Sequence, residues 1–285
     1  MKVLVTGAAG QLGRDMVLAA ASAGDDVVAG DHGTLDVSDR DAVLGAITSL
    51  RPDAVVHCAA WTAVDACEGD PGRAFAVNAL GVRWVAEACR RAGAHLVHVS
   101  TDYVFSGEQP EPYTEWDSTG PRSVYGASKL AGEQEALTAG IGATVVRTSW
   151  VCGEHGQNMV KTILRLAAEQ PLLRFVGDQR GHPSFTADLA PLIRRLAVDR
   201  RPGVHHVTNQ GAVSWYEFAK AVVAAAGRDP AMVEPVSTAD LQPPRPAPRP
   251  ANSVLDNAVL RMSGIPLLDD FHAPLERLVH RLTRQ

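Results

Sequence analysis

The chain has 285 residues, enough for about two domains of ordinary size. Hydrophobic residues make up 46% and charged residues 21%, a balance that excludes a disordered chain. Lys plus Arg number 27 against 32 Asp plus Glu, so the net charge is −5 and no overall positive field marks a nucleic-acid binder. No apolar run approaches the ~18 residues of a membrane span. The apolar start is too short for a signal peptide and runs at once into a glycine loop, so a cytoplasmic protein is expected. Cys58, Cys67, Cys89 and Cys152 show no C-x-x-C spacing, which suits free thiols in a reducing compartment. The histidines lack zinc-type spacing, so no metal is expected.

The first half alternates short apolar runs with helical patterns. Lys2 to Thr6 reads as a strand, Gln11 to Ala23 as a helix and Asp26 to Gly30 as a second strand. Ser38 to Leu50 reads as a helix with Ser38 as its N-cap. Asp53 to Ala59 is a buried strand, Asp70 to Ala92 one long helix, and His95 to Ser100 a strand. Ser123 to Thr138 is helical and Ala143 to Thr148 extended. This alternation predicts an α/β fold, a Rossmann-like doubly wound parallel sheet. The second half is less regular. Asn158 to Glu169, Ser184 to Val198, Ser214 to Ala226 and Ala273 to Arg284 read as helices, and Val204 to Val207 as a strand returning to the sheet. Gln242 to Pro250 holds five prolines and is extended. The expected division is a nucleotide-binding domain over 1–150 and a smaller mixed α/β domain, mainly for substrate, over 151–285. Segments near 181–210 return to the first domain.

Gly7, Gly10 and Gly13 follow the first strand directly and open the first helix. The first glycine turns tightly, the second lets a pyrophosphate approach, and the third lets helix and strand pack closely. The helix N-terminus then faces the phosphates with free N–H groups. Asp31 ends the second strand, either to hold adenine ribose hydroxyls or as a plain turn residue. Asp36 and Val37 lie close by, and Arg14 offers a cation for a 2′-phosphate, so NADH and NADPH both remain open.

Tyr125 and Lys129 stand one helical turn apart on one face. An ammonium near a phenol lowers the phenol pKa and readies it for proton transfer. Thr101, at a strand end, offers a hydroxyl to orient a carbonyl. The same Y-x-x-x-K spacing recurs at Tyr216 and Lys220, which read as helix surface or helix packing.

These motifs resemble the extended short-chain dehydrogenase/reductases, and within them the dTDP-4-dehydrorhamnose reductase family. The resemblance rests on Gly10-Gln11-Leu12-Gly13, on Ala59 through Asp65, on Ser100 through Phe105, and on Val124 through Glu133. It continues through Arg147 to Val151, Asp178 to Pro183, Ser214-Trp215 and Arg249 to Ser253. It implies an NADPH- or NADH-dependent oxidoreductase that reduces the C4 ketone of a dTDP-4-keto-6-deoxy-L-hexose. By that resemblance Gly10, Gln11, Leu12, Asp36, Val37, Ala60, Trp61 and Thr62 contact the cofactor. Tyr125 and Lys129 join them at the nicotinamide ribose. Thr101, Tyr125 and Lys129 are catalytic. Thr101, Asp102 and Trp150 meet the sugar, and Arg249 reaches the nucleotide diphosphate. Trp61 and Cys152 depart from the family's usual residues. A nucleotide-sugar substrate, no nucleic acid, no membrane and a default homodimer complete the expectation. Two alternatives stand beside it: a reductase of another nucleotide-linked 4-keto-deoxysugar, and a non-catalytic nucleotide-binding regulatory subunit.

Overall fold

Short apolar strands separated by helices too long for hairpins leave parallel pairing as the only economical arrangement. The computed structural model describes residues 1–284. Its first half runs β1 (Lys2–Thr6), α1 (Gln11–Ser22), β2 (Asp26–Gly30), α2 (Arg40–Leu50), β3 (Ala54–His57), α3 (Val64–Gly69) and α4 (Pro71–Phe75). A π-turn (Ala76–Leu80) joins α4 to α5 (Gly81–Ala92), followed by β4 (His95–Thr101), α6 (Val124–Thr138) and β5 (Thr144–Thr148). The second half holds β6 (Val151–Cys152), α7 (Met159–Glu169), β7 (Leu173–Val176), β8 (Arg180–Gly181), β9 (Ser184–Phe185) and α8 (Thr186–Val198). It ends with β10 (Gly203–His206), β11 (Val213–Ser214), α9 (Trp215–Ala225), β12 (Val233–Val236), α10 (Ala258–Met262) and α11 (His272–Thr283).

Six parallel strands form the central sheet in the order β10-β5-β4-β3-β1-β2. Helices α1 and α8 cover one face through Leu12, Met16, Leu189 and Ile193. Helices α2, α5 and α6 cover the other through Val43, Ile47, Val82, Val85 and Ala136. Strands buried on both faces read as unbroken apolar runs, which is why Val3 to Val5 and Ala54 to Val56 are legible in the sequence. A separate core of Val160, Ile163, Phe218, Phe271 and Leu275 holds the second half together around three two-stranded pairings. The chain reverses direction across the sheet between β1 and β3. In such sheets the crevice for a ligand opens at the carboxyl ends on either side of that point.

Local chemistry corrects three expectations. The N-cap of α2 is Asp39, whose carboxylate accepts from Ala42 N at 3.1 Å, while Ser38 is occupied by Asp36. Both residue types cap well, so their adjacency hides the choice. The helix expected over 70–92 is three pieces, α4, the π-turn and α5, and the separate α3 precedes it. Ser184 and Phe185 pair with β6 before α8 begins. The proline segment forms neither helix nor strand but bends at 242–243 and 246–247, and Ala247 N anchors it to the Asp65 carboxylate. Among the described residues no helix is long and apolar enough to cross a membrane. No cluster of three or more His, Cys, Asp or Glu there is placed to hold a metal ion.

The sheet also carries buried imidazoles. Thr6, His57 and His98 are register partners on β1, β3 and β4; the Thr6 hydroxyl meets His57 Nδ1 at 2.7 Å, and the two rings stack with centroids 5.4 Å apart. Burial pushes His57 and His206 down to about 3, His95 and His182 to about 4, and His98 well below its ordinary value. The unfolded chain takes up these protons near pH ~6.5, whereas the folded chain refuses them until far lower. Stability from these groups is therefore complete above pH ~6.5 and is lost as pH falls, with a slope of about 1.4 kcal/mol per pH unit per histidine. The melting temperature is expected to be flat from pH about 8 to 7 and to drop steeply between about 6 and 4. A melting curve unchanged down to pH about 4 would contradict this reading.

Candidate active site

At the end of β1 the chain turns through Gly7, whose φ is +67° and whose missing Cβ would lie 2.6 Å from Ala59 N. A Cβ on Gly13 would meet the Gly7 carbonyl at 2.1 Å, so α1 sits against the loop only because that residue is glycine. No side chain caps the start of α1, and its first turn carries no acid. Uncapped N–H groups beside a bare glycine loop make a cradle suited to phosphate oxygens, so these residues fit a dinucleotide. Gly10 differs from Gly13: an added Cβ there would only touch the Gly7 carbonyl at 3.2 Å. Gly10→Ala should therefore fold nearly normally yet weaken dinucleotide binding by about tenfold or more, since about 1.4 kcal/mol of lost phosphate contact suffices. Fluorescence titration with NADPH checks this; unchanged affinity would remove the loop from the site.

The cleft has two lobes joined at Gly7, Gly10, Cys58 and Ala60. One, of about 470 Å³, is bounded by Gly7, Gly10, Asp31, Asp36, Val37, Ala60 and Trp61. The other, of about 440 Å³, is bounded by Gln11, Leu12, Gly13, Thr62, Thr101, Asp102, Tyr125, Lys129 and Trp150. Two residues singled out in the sequence for ligand contact, Arg14 and Arg249, do not line it. Arg14 Nε instead donates to the Ala9 carbonyl at 3.2 Å. Arg249 grips Asp65 with two hydrogen bonds of 2.9 and 2.7 Å, beside the Thr62 wall. That guanidinium holds the Asp65 carboxyl below the usual carboxylate range. Asp31 accepts from Gly33 N and Thr34 N at 3.0 Å each, so it builds the turn as well as lining the cleft.

Helix α6 presents Tyr125 and Lys129. Ser123 caps it by accepting from Gly126 N at 3.1 Å. Lys129 is buried, and its ammonium donates to the Val99 carbonyl at 2.7 Å. Desolvation lowers its pKa to about 8, against the opposing pull of Glu133 and Cys58. From spacing alone, Lys129 is expected to lower the Tyr125 pKa. Burial raises the phenol above its ordinary value, and the Thr101 hydroxyl opposes it. A neutral phenol within reach of a substrate oxygen can donate its proton to a developing alkoxide, whose pKa is higher still. Tyr103 packs edge-on to it with ring centroids 5.6 Å apart.

Three contributors escape a reading of the site from sequence. Cys58 lies where the two lobes meet, at the carboxyl end of β3, and that strand-end position is the available signal. Trp215 is legible only as part of a motif. It stacks on Trp150 with centroids 3.5 Å apart and planes 7° from parallel. Trp150 itself has φ +45°, strained backbone of the kind that gathers at ligand sites. Asn78, within the π-turn, accepts from Trp61 N at 2.8 Å and donates to Trp61 O and the Ser128 hydroxyl. The second Tyr-x-x-x-Lys pair is half-buried on α9, with Tyr216 packed against the second-half core and Lys220 over its ring at 5.4 Å.

Residues 1–284 match the family described as RmlD substrate binding domain. The chain is 43% identical over 279 residues to a dTDP-4-dehydrorhamnose reductase of Streptomyces griseus, covering 95% of this chain and 91% of that one. The chain belongs to the dTDP-4-dehydrorhamnose reductase family. It is also 45% identical over 279 residues to a Streptomyces antibioticus protein described as a probable dTDP-4,6-dihydroxy-2-methyloxan-3-one 4-ketoreductase, covering 96% and 93%. Among solved structures, the dTDP-4-dehydrorhamnose reductase of Bacillus anthracis in complex with NADP superposes with a TM-score of 0.94 at 38% identity, covering 98% and 99%.

Proposed function

We propose that this chain reduces the C4 ketone of dTDP-4-dehydrorhamnose to give dTDP-L-rhamnose, using NADPH or NADH. The observation that carries the reading is the buried Tyr125 beside Thr101 in the same cleft as the uncapped glycine loop. When bound, the reduced nicotinamide supplies a hydride to the carbonyl carbon. Tyr125 delivers the proton to the carbonyl oxygen. Thr101 hydrogen-bonds that oxygen as charge grows, where preorganised donors act most strongly. Lys129, fixed to the Val99 carbonyl, puts a positive charge beneath the site and holds ribose hydroxyls. Trp150 bounds the sugar lobe; Arg249, paired with Asp65 outside the cleft walls, meets the diphosphate only by leaving that carboxylate. We read residues 1–150 as the nucleotide-binding domain, joined by segments near 181–210, with the remainder serving the sugar nucleotide in the cytoplasm. A binding module has no use for a buried proton donor, which argues against a regulatory subunit.

Purified protein with dTDP-4-keto-6-deoxy-L-mannose and NADH or NADPH in parallel tests the proposal by loss of cofactor absorbance and recovery of dTDP-L-rhamnose. A second substrate belongs in that assay. The relative at 45% identity is described with a different dTDP-linked ketosugar, so its substrate is the competing reading. Oxidation with that sugar alone would move the assignment to it.

A further inference from the structure

We propose that Asp102 is a positioning residue that sets which way the Thr101 hydroxyl donates, and that it does so as a neutral carboxylic acid. The proposal rests on the reductase reading above. A hydroxyl has one proton and two lone pairs. Around Thr101 Oγ1, Tyr103 N–H donates from 3.2 Å, and the hydroxyl is placed to donate to Asp102 Oδ1 at 2.9 Å, the arrangement of an ionised carboxylate that a neutral acid reverses. The Tyr125 phenol faces the same oxygen. With Asp102 ionised, Thr101 must give its proton to the carboxylate. Its remaining lone pair then draws the Tyr125 proton, and neither hydroxyl points at a substrate oxygen. With Asp102 neutral, the carboxyl O–H and Tyr103 N–H fill both lone pairs. The Thr101 proton is then free only toward Tyr125 and the substrate.

The surroundings favour the neutral form. Asp102 is 2% exposed, and its Oδ2 is buried without a hydrogen-bond partner among the described residues. An orphaned carboxylate oxygen is far costlier there than an orphaned acid carbonyl. Ser253, the Thr101 hydroxyl and the backbone N–H groups of Asp102 and Tyr103 pull the other way, toward the charged form, and burial outweighs them; the Ser253 hydroxyl is shared with Arg180 O at 3.2 Å. The titratable groups that feel its charge are Tyr103 and Tyr125; Arg245, Arg249 and Asp65 act on Tyr103. Burial pushes the Asp102 carboxyl up to about 6, so the neutral form is the majority below that pH and the ionised form above it.

The test is the pH profile of kcat for the full-length protein and for Asp102→Asn, each normalised to its own value at the acid end. An asparagine amide donates to Thr101 at every pH. Wild type should show a falling limb that begins near pH about 6 and steepens toward about tenfold per pH unit. The variant should show no such limb while NADPH affinity is retained. A second variant, Asp102→Ser, offers a hydroxyl that does not titrate, and it too should lose the limb. The same limb in either folded variant, or a flat wild-type profile, overturns the proposal. A wild type inactive on every dTDP-ketosugar overturns the substrate reading alone. Infrared difference spectra of wild type against Asp102→Ser then decide Asp102 separately. A protonated-carboxyl band persisting above the ordinary aspartate titration supports the proposal, and its absence overturns it.

Discussion

Tyr125→Phe will fold, bind NADPH nearly as well as wild type, and lose about 10²–10⁴-fold in kcat. The ring belongs to a small buried cluster with Cys67 and Ala74 and keeps its edge contact with Tyr103, so phenylalanine preserves the packing. What disappears is the hydroxyl proposed as proton donor, beside Thr101 in the cleft. The loss belongs in kcat rather than KM, because protonation of the alkoxide is an event of the transition state. Steady-state kinetics beside a cofactor titration separates the two. A kcat within a few-fold of wild type would reassign the proton donor.

The second large effect is structural. Glu133 on α6 grips Arg147 on β5 through bonds of 2.9 and 2.7 Å, and Ser100 on β4 donates to the same carboxylate at 2.5 Å. Both charged side chains are almost fully enclosed, at 2% and 6% exposure. The remaining face of the guanidinium lies over the Phe105 ring at 5.0 Å, while Nη1 has no hydrogen-bond partner among the described residues. Glu133→Leu would leave a buried cation without a counter-charge, which costs about 3–5 kcal/mol. Chemical denaturation should show that loss. The double variant Glu133→Leu with Arg147→Met should recover much of it, because two apolar groups remove the unpaired charge. A single variant as stable as wild type would show that water reaches the pair.

What the sequence discloses and what it conceals divide along physical lines. The turn at Gly7, the start of α1 and the shared face of Tyr125 and Lys129 depend on near neighbours in the chain, and neighbours are visible in a sequence. The Glu133–Arg147 grip depends on how α6 crosses β5, and the His57–His98 stack on strand register. Neither is encoded in any local spacing. The sign of the Tyr125 shift is hidden for a related reason. The ammonium four residues away is in plain view, whereas the desolvation that outweighs it belongs to the folded interior. Arg249 is reached through resemblance, but its bond to Asp65 joins residues far apart in the chain.

The π-turn at Ala76–Leu80 bears on how this site came to be and can be changed. A π-turn amounts to one residue more than a regular helix needs, and it gives poorer backbone geometry in return for a displaced side chain. Here the displaced side chain is Asn78, which ties the Trp61 wall of the cleft to Ser128 on the Tyr125 helix. Removing one residue from this stretch would restore an ordinary helix and rotate α4 relative to α5 by about 100°. The more regular chain would have no clasp between the wall and the helix. An insertion of a single codon, harmless to the apolar period on either side, is therefore enough to create or abolish that tie.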